Sequence, residues 1–200
     1  MNDLDFYIEI NARFAISEND EKNIYGVKNF SINIKKDNEE LAIEDEIIGS
    51  ASIIKIKTSV DALVTLDYLA ESEAFVLVFE EDWEFKDEAV KMYEDSTNRL
   101  LSSPIESIYI LDRMQLEELY RGKGLSKKVF DCIKEALNIN DEYILLKVFP
   151  LQHENLNENF NEEKFLLDRE KLINLYRDWG FVQIYNDNSD YIMIKDTQYV

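Results

Sequence analysis

The sequence predicts an α+β fold, a mixed and mostly antiparallel sheet flanked by helices. Two patterns carry this expectation. Residues 4–57 read as strands, two of which alternate apolar and polar side chains with the period of two that a half-buried strand requires, and residues 105–195 read in turn as strand, helix, strand, helix and hairpin. A third observation sets the scale. With 200 residues, 46% of them hydrophobic, the chain can bury a core, so one domain is expected over residues 1–200 and disorder is not.

Each element follows from local pattern. Phe6, Ile8 and Ile10 alternate with polar neighbours, as do Phe30, Ile32 and Ile34, and residues 47–56 are rich in β-branched side chains around Gly49. Polar turns at 17–23 and 35–40 make these strands an antiparallel meander. Residues 61–72 have helical spacing at Leu63, Leu66, Leu69 and Ala70, and the apolar run 74–79 fits either a buried strand or a continued helix. Segment 80–88 holds six carboxylates and one lysine around Trp83 and Phe85, and 87–101 is again helix-like at Ala89, Val90, Tyr93 and Leu100.

Pro104 then breaks the chain, and 105–116 reads as a strand. Residues 125–137 place Leu125, Val129, Cys132, Ile133, Ala136 and Leu137 on one helical face. Residues 143–149 form a continuous apolar strand ended by Pro150, and the Glu- and Asn-rich stretch 154–163 is a loop by composition. Leu172, Leu175, Tyr176 and Trp179 share a helix face that Gly180 closes. Residues 181–185 and 191–195 pair around the turn 186–189.

Charge narrows the function. Lys and Arg number 22 against 42 Asp and Glu, a net charge of −20. Nucleic acid and anionic membrane both repel such a polyanion, so neither is an expected partner. Cationic or neutral partners are favoured, although the charge equally serves solubility. One cysteine, Cys132, and one histidine, His153, leave no intrachain disulfide and no usual zinc site, and no metal is expected. Cys132 reads as packing, and His153 carries no assigned role. The first residues lack the basic and apolar regions of a signal peptide, and no apolar run is long enough to span a membrane. A soluble, cytoplasmic protein is expected.

Only five glycines occur, and two stand together in Arg121-Gly122-Lys123-Gly124-Leu125-Ser126, between an expected strand and an expected helix. Glycine permits the dihedrals of a tight turn and lets a ligand reach the backbone. Free N–H groups then point out of the first helical turn at the positive end of the helix dipole, where phosphate oxygens bind. Local charge agrees. Residues 121–130 carry Arg121, Lys123, Lys127 and Lys128 and no acidic side chain. The plainer alternative is an ordinary turn with solvated lysines.

This segment resembles the acyl-CoA-binding motif of the GNAT superfamily of N-acyltransferases, Arg/Gln-x-x-Gly-x-Gly/Ala after a strand with a hydrophobic residue five before the Arg. Arg121, Gly124 and Leu116 match, and Ser126 replaces the usual Gly or Ala. Leu175-Tyr176-Arg177-Asp178-Trp179-Gly180-Phe181 is similar to the family's Leu-Tyr-x-x-x-Gly-Phe segment. Arg169 and Leu172 stand where the family often has Asn and Ala. The resemblance covers residues 105–195 and leaves residues 1–104 unmatched.

The resemblance implies two splayed parallel strands, 105–116 and 143–149, with acetyl-CoA as co-substrate. Its diphosphate would lie on Arg121, Gly122, Lys123, Gly124, Leu125 and Ser126, and its pantetheine arm would pair with backbone at Met114 and Leu116. A primary amine would attack the thioester directly, with the Leu116 N–H polarising the carbonyl. Tyr176 would serve the leaving thiolate as acid, and Asp112 stands ahead of Glu117 and Glu118 as the base. The acceptor is expected to be a small cationic amine or a peptide amine, drawn by acidic segments, with Trp83 and Phe85 forming either a cation–π wall or core anchors. The alternatives are a GNAT-like module that binds CoA or a protein without turnover, and an acidic mimic of nucleic acid. The sequence leaves the oligomeric state open, a homodimer included.

Overall fold

The computed structural model describes residues 6–14, 26–37, 46–59, 61, 62, 65, 66, 70–104, 106–154, 160–187 and 189–198. The turn expected at 17–23, most of the helix-like stretch 61–69, residues 155–159 of the Glu- and Asn-rich segment and Asn188 lie outside them. Two compact units divide the chain, one built from residues 1–60, 105–142 and 197–200, the other from 61–104 and 143–196.

The first unit holds the expected meander. Strands β1 (Phe6–Phe14), β2 (Val27–Lys36), β3 (Ile47–Lys57) and β4 (Ser107–Leu116) pair antiparallel in sequence order. The alternation read from the sequence sets the register: Ile8 faces Ile34 and Ile10 faces Ile32. Ile32, Ile34, Ile48, Ile53, Ile56 and Ile108 are buried. Helix α2 (Leu125–Ala136) buries Leu125, Val129, Phe130 and Ile133, and each such side chain contributes about 1.5–3 kcal/mol. Cys132 is half-buried on α2, and burial pushes its thiol up, as expected of a packing residue.

The second unit holds α1 (Asp87–Thr97), β5 (Tyr143–Lys147), α3 (Glu162–Asp178), β6 (Val182–Asn186) and β7 (Tyr191–Asp196). Strand β7 pairs antiparallel with β5 on one side and β6 on the other. The run 74–79 is neither strand nor α-helix. A 3-10 helix, Ala70–Leu77, precedes an isolated antiparallel bridge between Phe79 and Phe85. The acidic segment is the turn inside that bridge. Its carboxylates at 80, 81, 82 and 84 are exposed, while Trp83, 1% exposed at φ 66°, sets its ring edge on Phe79. Trp83 and Phe85 are therefore core anchors, because the turn sends every aromatic inward and every carboxylate outward.

Helix α1 ends before Leu100. Asn98 adopts the left-handed conformation at φ 54°, and Leu100 is 82% exposed, not part of the apolar face. Helix α3 ends as expected. Gly180, at φ 87°, donates its N–H to Arg177 O at 2.9 Å and Phe181 donates to Tyr176 O at 3.0 Å, the paired bonds of a Schellman turn. His153 is buried with Nε2 3.1 Å from Asp168 Oδ2, between the edges of Phe160 and Phe165. It ties the turn after Pro150 to α3, a structural part. Among the described residues no helix is long and apolar enough to cross a membrane, and no group of three or more His, Cys, Asp or Glu could hold a metal ion.

Candidate functional site

The site begins at the end of β4. Glu117 donates its N–H to Ile48 O at 2.9 Å, and one step earlier Leu116 faces Gly49. In an antiparallel pair the bonded and non-bonded positions alternate. Leu116, and Met114 opposite Ala51, are thus non-bonded positions whose N–H and C=O turn away from β3. These are the two residues expected to pair with a pantetheine arm. Gly49 is essential to this geometry, since a Cβ there would lie 2.5 Å from Gln115 O.

A single 3-10 turn, Glu118–Tyr120, then redirects the chain. Arg121 folds back and donates from Nε to Leu116 O at 2.7 Å, and Lys123 donates from Nζ to Leu119 O at 2.6 Å. Gly122 and Gly124 take φ of 71° and 74°, in the region that favours glycine. A Cβ built on either meets nothing within 4 Å, so the space in front of the turn is open.

Gly124 is the N-cap of α2 and supplies no side-chain acceptor. Among the described residues, no backbone bond outside the helix claims the N–H groups of residues 122–126. The first turn of α2 contains no carboxylate, whereas α1 begins with Asp87 and Glu88 and α3 with Glu162 and Glu163. On a chain of net charge −20, the start of α2 keeps its dipole uncompensated. Lys127 is paired with Asp131 at 2.8 Å, one turn on. The turn therefore fits a diphosphate: bare donors, a positive dipole and room for oxygen atoms.

Two expected catalytic residues remain, Asp112 in the first unit and Tyr176 in the second. Asp112 is half-buried in β4, where the register with β3 skips it: Ser52 faces Arg113 and Ile53 faces Leu111. It is thus the extra residue of a β-bulge, a device that re-aims a side chain, and its carboxylate lies 3.8 Å from Arg113 Nε. Tyr176 lies near the end of α3 with its ring edge-on to Trp179 and Phe181. Burial pushes its phenol up to about 12. Sequence reasoning missed the bond from Arg121 to Leu116 and the bulge at Asp112. The close approach at Gly49 had one signal, a glycine inside a β-branched run.

No family model matches the chain, and no curated protein matches it. Among solved structures it is similar in fold to NAA60 of Arabidopsis thaliana in complex with acetyl-CoA, at 10% identity over 84% of this chain and 76% of that one, TM-score 0.42. The same protein with a bisubstrate analogue gives 13% identity over the same shares and a TM-score of 0.38. A GNAT-family acetyltransferase from Listeria monocytogenes gives 15% identity over 83% of this chain, TM-score 0.37, and 63% of that protein is covered, less than two thirds.

Proposed function

We propose that this chain is an acyl-CoA-dependent N-acyltransferase that moves an acetyl group from acetyl-CoA to a primary amine by direct attack. One observation carries the reading: the turn 121–126 leaves its N–H groups bare at an uncompensated helix start, in the motif that resembles a CoA-binding segment. Arg121 to Ser126 would hold the diphosphate, and the outward backbone groups of Met114 and Leu116 would hold the arm. The amine nitrogen forms a bond to the thioester carbon, the carbon–sulfur bond breaks, and the sulfur leaves as thiolate. The Leu116 N–H stabilises the carbonyl oxygen as charge gathers there.

Tyr176 keeps its proton throughout the physiological range, because its phenol is held near 12. A free thiol ionises near about 8.5, so Tyr176 serves the thiolate by donating a hydrogen bond rather than by giving up its proton outright. Asp112 takes the proton of the amine, directly or through water. The substrate is a small cationic amine or a peptide amine, and the protein works in the cytoplasm. A CoA-binding module without turnover is the second reading, favoured by Ser126 in place of the usual Gly or Ala.

The test has two stages. CoA at about 100 times its dissociation constant should stabilise the protein by roughly 2.7 kcal/mol. No shift in melting temperature with millimolar CoA overturns both readings. Release of thiol from acetyl-CoA across polyamines, amino-sugars and lysine peptides then separates the enzyme from the module.

A further inference from the structure

The second unit contains a cleft of about 400 Å3 that the acyl-transfer chemistry does not use. Met92, Phe181 and Val182 supply its apolar surface, and its polar lining comes from Asp95 of α1, Arg177 of α3 and Gln183 of β6. The Arg177 guanidinium is positioned by neutral groups. Nη2 donates to Tyr191 Oη at 3.2 Å, Nη1 donates to Asn174 Oδ1 at 3.4 Å, and the Tyr191 hydroxyl donates to Gln183 Oε1.

Among the described residues Arg177 makes no ion pair, and neither does Asp95. On a chain with 42 acidic residues, an exposed arginine held by neutral groups at a cleft, with no carboxylate paired to it among the described residues, is a cation kept for another partner. The cleft thus presents one fixed cation, one anion and an apolar floor, within the size range of small-ligand sites.

We propose that this cleft binds a free α-amino acid with an apolar side chain. Its carboxylate engages Arg177, its ammonium engages Asp95, and its side chain covers Met92 and Phe181. A planar guanidinium suits a carboxylate through two parallel N–H bonds, and the Asp95 carboxylate in the same cleft disfavours simple anions. The site is independent of the acyltransferase reading, since none of its residues belongs to the turn at 121–126.

The full chain is titrated with L-leucine, L-methionine and L-phenylalanine at up to about 10 mM, with melting temperature and calorimetry as readouts. At least one should bind. N-acetyl-L-leucine, which lacks the ammonium, and L-leucinamide, which lacks the carboxylate, should each bind at least about tenfold more weakly than the parent. Asp95→Asn, at an exposed position, should weaken the parent amino acid about tenfold while leaving the melting temperature of the free protein unchanged. Arg177→Gln should abolish binding. Silence towards all three amino acids, or equal binding of leucine and leucinamide, overturns the proposal.

Discussion

Helices α2 and α3 begin in opposite ways. At the start of α3, Asn161 Oδ1 accepts the Lys164 N–H at 2.9 Å, and Glu162 and Glu163 meet the dipole. At the start of α2 a glycine at φ 74° offers no acceptor, and no carboxylate stands in the first turn. One terminus is closed by its own side chains. The other forgoes a few tenths of a kcal/mol of capping energy and the about 0.3–1 kcal/mol that a first-turn carboxylate would add, and stays reactive toward an anion. A binding site of this kind is recognised by the stabilisation it forgoes.

That contrast can be pressed from both sides. The largest effect is expected at alkaline pH and falls on the helices of the second unit. Burial holds the phenols of Tyr93 and Tyr176 near 12, above the ordinary 10, so the folded protein keeps protons that the unfolded chain releases. Stability should be intact below pH 10 and fall as pH rises from 10 to 12, and Tyr176→Phe should blunt the fall. Denaturant midpoints across that range check this, and a flat profile contradicts the burial.

Next comes conversion of α2 into a helix like α3. Ser126→Glu places a carboxylate in the bare first turn. The free protein should gain about 0.3–1 kcal/mol, while the roughly 2.7 kcal/mol expected from CoA should vanish. Opposite signs from one substitution separate a functional terminus from a structural one, and melting curves with and without CoA read both. Gly124→Ala should cost about 1–2 kcal/mol through backbone strain alone, because its Cβ meets no neighbour. Smallest is Asn161→Ala, which opens α3 at a cost of about 1 kcal/mol in thermal stability and leaves the CoA response unchanged.

The sequence carried the parts of this molecule that depend on local period and on rare residues. Strands β1 and β2 were legible because their apolar positions alternate, β3 because it is rich in β-branched side chains, and the turn at 121–126 because two of five glycines meet a run of basic residues. The 3-10 helix at Ala70–Leu77 was not, since a short apolar run has no period to distinguish it. Asp112 could be named as a carboxylate near the strand end but not as a bulge, because a bulge is a property of two strands in register. The place of Tyr176 on a helix was legible from its spacing. Its raised phenol was not, because burial is made by residues distant in sequence.

The bond from Arg121 Nε to Leu116 O has a consequence for chain length. It closes a ring through residues 117–120, so the spacing between strand end and helix start works as a ruler. An insertion inside that ring would leave both ends well folded yet out of step with each other. Natural or engineered length variation should therefore concentrate on other connections of the chain and spare this one.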